Sequence, residues 1–293
     1  MSLTAVLFRY MATKGDAKRD KGLTTPDDII RFDNLIYGDD KKWNTLDVYY
    51  PKGTNNPLPV IINIHGGGYV YGTKEVYQFY CMSLAQFGFS AINFNYHLAP
   101  RYKFPTQLRE INRVFEWMCE NAKEYFFDLN NVFIVGDSAG AQLNSQYSLM
   151  WADPDYASLF DIKVPQFRLA AIGLNCGMYD NLAKRPREGM FKGIIKDYLG
   201  KDPDQYTDLL EVKERIKSNY PPSYVMSSIH DFLKDACQPM AEFLESKGIP
   251  VEWKIYGDES DKMAGHVFHC NIRYDLAKQC NNDQIDFFKK YIR

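Results

Sequence analysis

Short apolar runs rich in β-branched and aromatic residues recur along the chain and alternate with segments of helical periodicity. Six of these runs are continuous: Val60 to Ile64, Ser90 to Phe94, Val132 to Val135, Leu169 to Leu174, Tyr224 to Met226 and Val251 to Tyr256. Continuous runs of this kind are typical of strands buried on both faces of a parallel sheet. The pattern therefore predicts an α/β fold with helices on both faces of a mostly parallel sheet.

Other segments show two different periodicities. Residues 108–118 and 143–151 keep the i, i+3, i+4, i+7 spacing of amphipathic helices. Residues 35–37 and 46–50 alternate in the manner of half-exposed strands. We therefore expect an antiparallel entry to the sheet and about eight strands in all.

Two segments fit this alternation badly, and we call them the lid segments. They are residues 1–30, with a mixed helical pattern, and residues 181–219, a charged and helix-prone insertion between two predicted strands. Both are expected to lie over one end of the sheet, although ordinary connecting helices on a solvated face would give the same pattern. No linker divides the chain, so residues 1–293 are expected to form a single domain.

Composition and charge exclude several classes of function. The 293 residues are 45% apolar, and 35 Lys and Arg stand against 37 Asp and Glu, a net charge of −2. This composition excludes disorder as the main state, and the overall charge offers no attraction for nucleic acid or anionic lipid. No apolar stretch reaches the ~18 residues of a membrane span. Because Arg9 interrupts the N-terminal apolar patch, we expect no secretory signal and a cytoplasmic protein.

The six cysteines show no paired spacing. They lie at positions 81, 119, 176, 237, 270 and 280, without a C-x-x-C motif. We interpret them as free thiols, mostly core residues, and expect no metal and no organic cofactor. A reactive cysteine or a metal site is the alternative, but no His/Cys ligand spacing favours it.

The first chemical motif is the G-x-S-x-G at residues 136–140. It stands between the predicted strand that ends at Val135 and a helix that starts near Ala139. Strand, tight turn and helix are the context of a nucleophile elbow, in which Ser138 would be exposed as the attacking group. The motif alone occurs often by chance, so this context carries the prediction.

The second motif, His65-Gly66-Gly67-Gly68, directly follows a predicted strand. Successive glycines let the backbone pass close to a substrate with its N–H groups pointing inward, as stabilising a carbonyl oxygen that becomes negative requires. Gly67 and Gly68 are the candidate donors, and Ala139 after the nucleophile is the third. A phosphate-binding turn is the alternative, although the P-loop Lys and the G-x-G-x-x-G spacing are missing.

Three motifs together resemble those of the hormone-sensitive lipase family of α/β-hydrolases. They are residues 65–69 (His-Gly-Gly-Gly-Tyr), residues 96–105 (Tyr-His-Leu-Ala-Pro, later Phe-Pro) and residues 136–140 (Gly-Asp-Ser-Ala-Gly). The resemblance covers roughly residues 45–270 and implies a serine carboxylester hydrolase with a helical cap that suits the lid segments. Arg101 and Glu110 depart from the family pattern, and we hypothesise that they form a charge pair.

The family's chain order, Ser then Asp then His, implies the remaining partners of Ser138. Asp231 resembles the family acid and follows the predicted strand that ends at Met226. His266 resembles the family's His-x-Phe histidine and lies at a loop-to-helix junction. The alternatives are His269 for the base and Asp258 or Asp261 for the acid, since geometry rather than position defines a triad.

These residues predict hydrolysis of a small-molecule ester with a short acyl chain, of which acetyl is an example. Ser138 would attack, His266 would move the proton and Asp231 would orient the ring. Tyr69, Tyr71, Phe191 and Tyr198 suggest a confined apolar pocket. Two other functions stay open: a non-catalytic ligand-binding module of the same fold, and a peptidase or amidase of the same fold.

Overall fold

The structure, a computed structural model, describes residues 1–184 and 189–293. Four residues of the second lid segment, 185–188, thus lie outside the described residues. The strands are β1 (Ile29–Ile36), β2 (Thr45–Pro51), β3 (Leu58–Ile64), β4 (Ser90–Phe94), β5 (Phe127–Asp137), β6 (Leu169–Asn175), β7 (Ser223–Ser228) and β8 (Val251–Tyr256). The α-helices are α1 (Leu3–Asp20), α2 (Lys74–Ala85), α3 (Thr106–Glu120), α4 (Ala139–Ala152), α5 (Pro154–Ser158), α6 (Gly189–Leu199), α7 (Cys237–Ser246) and α8 (Asp275–Lys289).

The strands form one mixed sheet in the order β1-β2-β4-β3-β5-β6-β7-β8. β2 pairs antiparallel with both β1 and β4, and every pair from β4 to β8 is parallel. The prediction of a mostly parallel sheet with an antiparallel entry is thereby confirmed. Parallel strands need crossover connections, which the intervening helices supply.

Two apolar cores lie on the two faces of the sheet. Successive residues of β3 alternate between them, since Ile62 packs in one cluster and Ile61 in the other. The first cluster includes Ile111 of α3, and the second includes Met82 of α2 and Ile285 of α8. Helices therefore cover both faces, as the continuous apolar runs predicted.

The edge strands depart most from the sequence pattern. β1 begins at Ile29, well before the alternating segment that indicated it, because its register shifts between Phe32 and Leu35. A shift of this kind breaks the period of two on which the prediction depends. β8 is largely exposed rather than buried on both faces, since it closes the sheet at the other edge.

Loops that follow four strands bring the candidate residues to one edge of the sheet. Residues 65–68, which we call the glycine loop, follow β3, and Ser138 follows β5. Asp231 lies just after β7, and His266 lies on the loop after β8. Because the carboxyl ends of parallel strands share one edge, side chains that are distant in sequence meet there.

α1 and α6, which belong to the two lid segments, pack against each other. The Ser2 N–H and hydroxyl both donate to Asp197 Oδ2, at 2.7 and 2.8 Å. A side chain at Gly193 would collide with the Thr4 hydroxyl, 1.9 Å from an ideal Cβ. In the part of the chain described here, no helix is both long enough and apolar enough to cross a membrane.

Candidate active site

Ser138 lies at the sharp turn where β5 ends and α4 begins. Its backbone has φ 54° and ψ −116°, a positive φ that non-glycine residues seldom adopt. Its N–H donates to the carbonyl oxygen of Asn175 at 2.9 Å, which ties the turn to the end of β6. Such backbone strain persists where the surrounding contacts enforce it. A sharp turn of this type between a strand and a helix exposes the serine hydroxyl at the edge of the sheet.

The two glycines that flank Ser138 are required by the close approach of three backbone segments. An ideal Cβ at Gly140 would lie 2.0 Å from the carbonyl oxygen of Ile64, at the end of β3. One at Gly136 would lie 2.5 Å from the carbonyl oxygen of Gly140. A side chain at either position would push α4 away from the sheet, so the motif has a steric basis in this fold.

The glycine loop turns with two residues at positive φ, Gly67 at 107° and Gly68 at 58°. An ideal Cβ at Gly67 would lie 2.2 Å from the carbonyl oxygen of Tyr71, so only glycine fits there. Among the described residues, the N–H groups of Gly67 and Gly68 donate to no protein acceptor. The N–H of Ala139, in the first turn of α4, has no intrahelical partner either. These N–H groups can therefore bind an external oxygen.

His65 holds the base of the glycine loop. Its ring stacks on Tyr96 with centroids 4.0 Å apart, and the Tyr96 hydroxyl donates to the His65 carbonyl oxygen at 2.8 Å. Burial lowers the pKa of His65 to about 4, so the ring is neutral near neutral pH. Its Nδ1–H can then donate to the carbonyl oxygen of Gly66, 2.8 Å away.

Asp231 and His266 form the central polar pair of the site. His266 Nδ1 lies 2.7 Å from Asp231 Oδ1, and the Asp231 side chain is fully buried. The Ser227 hydroxyl also donates to Asp231 Oδ2 at 2.7 Å, and the Leu233 N–H donates to Oδ1 at 2.8 Å. Burial raises the pKa of Asp231, but these hydrogen bonds and the charge of His266 outweigh it, so the pKa is lowered overall. The carboxylate can therefore stay ionised and orient the ring.

The imidazole of His266 lies beside the serine turn. With Nδ1 held by Asp231, Nε2 is the ring atom left to act on another group. A ring nitrogen of His266 lies within 4.8 Å of the Cys176 sulfur, and Cys176 directly follows Asn175, whose carbonyl oxygen accepts from the Ser138 N–H. No hydrogen bond joins Ser138 Oγ to His266 in the described residues, and such contacts are often loose before substrate binds.

The other histidines and acids lie elsewhere. His230 is exposed, and its backbone N–H donates to the Ala264 carbonyl oxygen. His269 is buried, edge-on to Tyr80, and burial lowers its pKa to about 3. Asp258 accepts from Ser260, and Asp261 accepts from the hydroxyl of Tyr274. Among the acids considered, Asp231 is the one within hydrogen-bond distance of His266.

Tyr77 links the glycine loop to the serine turn, and no sequence motif indicates this role. Its hydroxyl accepts from the Gly66 N–H at 3.1 Å and donates to Asp137 Oδ2 at 2.9 Å. Gly66 has no room for a side chain, since an ideal Cβ would lie 2.3 Å from that carboxylate oxygen. Burial raises the pKa of Asp137 to about 6, despite the opposing effects of Tyr77, His266 and the Gly66 N–H.

Asp137 should make the stability of the fold depend on pH. Because its folded pKa of about 6 lies above the ordinary value near 3.9, the folded state keeps a proton that the unfolded state has lost between these values. The free energy of unfolding therefore falls as pH rises through this window, and the total loss is about 3 kcal/mol. Asp137→Asn should remove this component while keeping an acceptor for Tyr77. Urea unfolding of both proteins from about pH 4 to about pH 7 measures the difference.

Two outcomes bear on this expectation. Tyr77→Phe removes a donor to the carboxylate, so it should move the same transition to higher pH. A difference between wild type and Asp137→Asn that stays constant across the pH range would contradict the assignment.

One group of the described residues offers metal-ligand atoms close together. Cys176, Asp231 and His266 each present one such atom, and these lie within 4.8 Å of one another. Cys176 is buried at a positive φ of 48°, and burial together with the charge of Asp231 raises the pKa of its thiol. The thiol is therefore neutral beside the Asp–His pair. All six cysteines are free.

Aromatic and apolar side chains lie next to His266 and to the glycine loop. The ring of Phe232, next to Asp231, lies 4.2 Å from that of His266, and Phe191 lies 5.8 Å from Phe232. An ideal Cβ at Gly68 would be 3.4 Å from Ile194 of α6 and 3.8 Å from Phe8 of α1. Side chains of α1 and α6 therefore lie within contact range of the glycine loop on this side.

Glu110 does not pair with Arg101, so that hypothesis was wrong. Glu110 Oε1 lies 2.5 Å from His97 Nδ1, and Oε2 accepts from the His97 N–H at 2.7 Å. Arg101 instead lies over the ring of Tyr102. The helix α3 turns Glu110 inward beneath the loop after β4, where His97 is buried and Arg101 is exposed.

The chain is similar to one protein family and to several characterised esterases. The BD-FAE family model matches residues 46–239. Versiconal hemiacetal acetate esterase of Dothistroma septosporum is 27% identical over 226 residues, covering 71% of this chain and 67% of that protein. An acetyl esterase of Salmonella choleraesuis is 26% identical over 225 residues, covering 72% and 67%.

Solved structures agree with the architecture. Esterase B from Lactobacillus rhamnosis, inhibited by a tributyrin phosphonate, superposes with a TM-score of 0.90 at 23% identity, covering 98% of this chain and 94% of that one. An esterase of Pyrobaculum calidifontis gives a TM-score of 0.79 at 21% identity, covering 99% and 94%. These similarities show the α/β-hydrolase fold.

Proposed function

The chain belongs to the BD-FAE family and is a carboxylesterase of the α/β-hydrolase type, and from this premise we propose that it cleaves short-chain acyl esters by serine catalysis. Ser138 is the nucleophile, His266 the base and Asp231 the residue that orients the base. Gly67, Gly68 and Ala139 form the oxyanion hole. The observation that carries this proposal is the 2.7 Å contact between His266 Nδ1 and the buried Asp231 carboxylate, beside a serine held at positive φ.

The proposed reaction has two halves with the same groups. Ser138 Oγ attacks the ester carbonyl carbon while its proton passes to His266 Nε2, and the developing oxyanion is bound by the three backbone N–H groups. The tetrahedral species collapses as His266 gives its proton to the leaving alcohol. Water then attacks the acyl enzyme by the same route, which releases the acid and restores Ser138. Asp231 stabilises the imidazolium in both halves.

The preference for short acyl groups is supported by the aromatic packing around the glycine loop. Tyr69, directly after the loop, stacks on Tyr198 of α6 with centroids 3.7 Å apart and planes at 2°. Both rings are buried. Phe8 and Ile194 occupy the space beside Gly68. An acyl chain that lies against this loop therefore meets filled volume after a few carbons.

A cavity of about 660 Å³ lies behind the glycine loop, but Ser138 does not line it. Its walls come from α1, from Asp40 and Trp43, from residues 70–73 with Val76, and from residues 97–102. We assign the substrate to the space next to Ser138 rather than to this cavity.

A series of p-nitrophenyl esters tests the proposal. We expect kcat/KM to be highest for acetyl or butyryl esters and to fall steeply beyond about eight carbons, because a longer chain must displace packed rings. Tyr198→Leu should move the optimum toward longer acyl chains. Tyr220→Leu is the matched control and should leave the optimum unchanged, because Tyr220 is also buried but its hydroxyl donates to the Ser145 carbonyl oxygen. A rate that rises with chain length in the wild type would contradict the pocket assignment.

The same series separates the alternatives. A matched p-nitroanilide of the preferred acyl group measures amide cleavage, and a rate comparable to that of the ester would favour an amidase. Absence of turnover on every ester, together with tight binding of the products, would favour a non-catalytic binding module.

A further inference from the structure

The outward face of α1 is apolar along its N-terminal half. Leu3, Leu7 and Tyr10 are exposed by 84%, 55% and 58%, and Val6 and Met11 flank them on the same side with about half their surface exposed. Their spacing of three and four residues places them in one stripe on the helix. Soluble proteins seldom leave so many large apolar side chains adjacent and uncovered without a binding role.

The same stripe continues as a cationic surface. Lys14, Lys18 and the C-cap residue Lys21 follow at the same spacing, and all three are exposed. None of them pairs with a carboxylate in the described residues. The two acids of α1, Asp16 and Asp20, lie on other sides of the helix. Within α1, the outward face therefore combines apolar and positive side chains with no negative one, and Lys18 also borders a surface depression lined by Arg273 and Asp275.

The inner side of α1 fixes which face points outward. Arg19 bonds to both Asp16 and Asp20, and the Tyr71 hydroxyl donates to Asp16 at 2.7 Å. Ala5 is fully buried, and Phe8 approaches the glycine loop. These contacts hold both ends of the helix. A rotation of α1 about its axis that turned the apolar stripe inward would therefore break them.

We propose that this outward face of α1 docks on an anionic lipid surface. A helix whose exposed face carries apolar side chains followed by lysines can lie in the plane of a membrane interface, with the apolar side chains inserted between headgroups and the lysines at the headgroup level. The lysines add attraction to anionic headgroups at short range, although the whole chain carries a net charge of −2. The three lysines therefore form a local positive patch on a chain whose net charge is negative.

A second copy of the chain fits this face less well. In a parallel pairing of two α1 helices, the lysines of one would face those of the other, with no carboxylate between them. In an antiparallel pairing, each set of lysines would lie against the apolar half of the partner helix. Neither arrangement neutralises the charge of the lysines. An anionic membrane surface has an apolar interior that matches the apolar half of α1 and negative headgroups that match the lysine half.

Docking would bring the glycine loop close to the lipid surface. Phe8, on the inner side of α1, lies within contact distance of an ideal Cβ at Gly68. The loop is therefore separated from the docked face by about one helix diameter, roughly 10 Å. Esters that partition into the interface would then be concentrated near this edge of the sheet.

Vesicle sedimentation of the full chain tests the proposal. We expect binding to vesicles of phosphatidylcholine mixed with phosphatidylglycerol, little binding to phosphatidylcholine alone, and weakening by salt. Replacing all three lysines with glutamate should lower the partition coefficient on the order of a hundredfold or more, at about fivefold per lysine. Leu3→Ser with Leu7→Ser should lower it through lost apolar insertion.

Controls keep the test independent of folding and catalysis. Leu159→Ser with Lys52→Glu changes a half-exposed leucine and an exposed lysine far from α1 in sequence, and should bind as wild type does. All variants should hydrolyse a water-soluble acetyl ester at the wild-type rate. Equal binding to both kinds of vesicle, or binding that survives the α1 changes, would overturn the proposal. A concentration-dependent dimer abolished by the leucine changes would assign the face to a second copy instead.

Discussion

Ser138→Ala should lower kcat for ester hydrolysis by about a million-fold, and His266→Ala should lower it by a similar factor. The reason is that the hydroxyl and the imidazole act as one unit: without the base the hydroxyl is a weak nucleophile, and without the hydroxyl the base has no proton to remove. The double variant should therefore be no slower than either single one. Single-turnover and steady-state kinetics on the preferred p-nitrophenyl ester measure all three.

Matched controls are available in the same region. His230→Ala changes an exposed histidine of the same loop cluster and should keep wild-type kcat. Retention of more than about one hundredth of wild-type kcat in Ser138→Ala would remove the serine from the mechanism. Losses that multiply in the double variant would show that the two side chains act separately.

Asp231→Asn is the second large effect, and we expect kcat to fall about ten-thousand-fold with little change in KM. An amide at this position keeps the size of the side chain, so the ring stays in place. It removes the negative charge that stabilises the imidazolium, and its NH₂ group can hold His266 in the tautomer that cannot accept the serine proton. The pH dependence of kcat should change as well, which a simple loss of packing would not cause.

Asp258→Asn serves as the control for this change. Asp258 is exposed and bonded to Ser260, so its replacement should leave kcat and KM close to wild type. If Asp258→Asn lost as much activity as Asp231→Asn, the acid would have to be reassigned.

Much of the central sheet could be predicted because its strands are buried on both faces. Ser90 to Phe94 coincides with β4 and Leu169 to Leu174 lies within β6, and the turn after β5 places Ser138 where the motif indicated. These features depend on local sequence: an apolar run, a glycine, a strand end. The fold class followed from their alternation.

Contacts made by tertiary packing could not be predicted in the same way. Tyr77 is one of 21 tyrosines, and nothing in its neighbourhood indicates that its hydroxyl joins Gly66 to Asp137. The pairing of Glu110 with His97 was also missed, because the direction in which a charged side chain points depends on how its helix lies on the sheet. The roles of the two lid segments stay predictions.

The bond between Ser2 and Asp197 joins residues 195 positions apart, and this separation matters while the chain is being made. At ~5–20 residues per second, α1 leaves the ribosome roughly 10 to 40 seconds before its partner helix is synthesised. During that interval both sides of α1 are uncovered, so the nascent chain offers chaperones an apolar segment to bind.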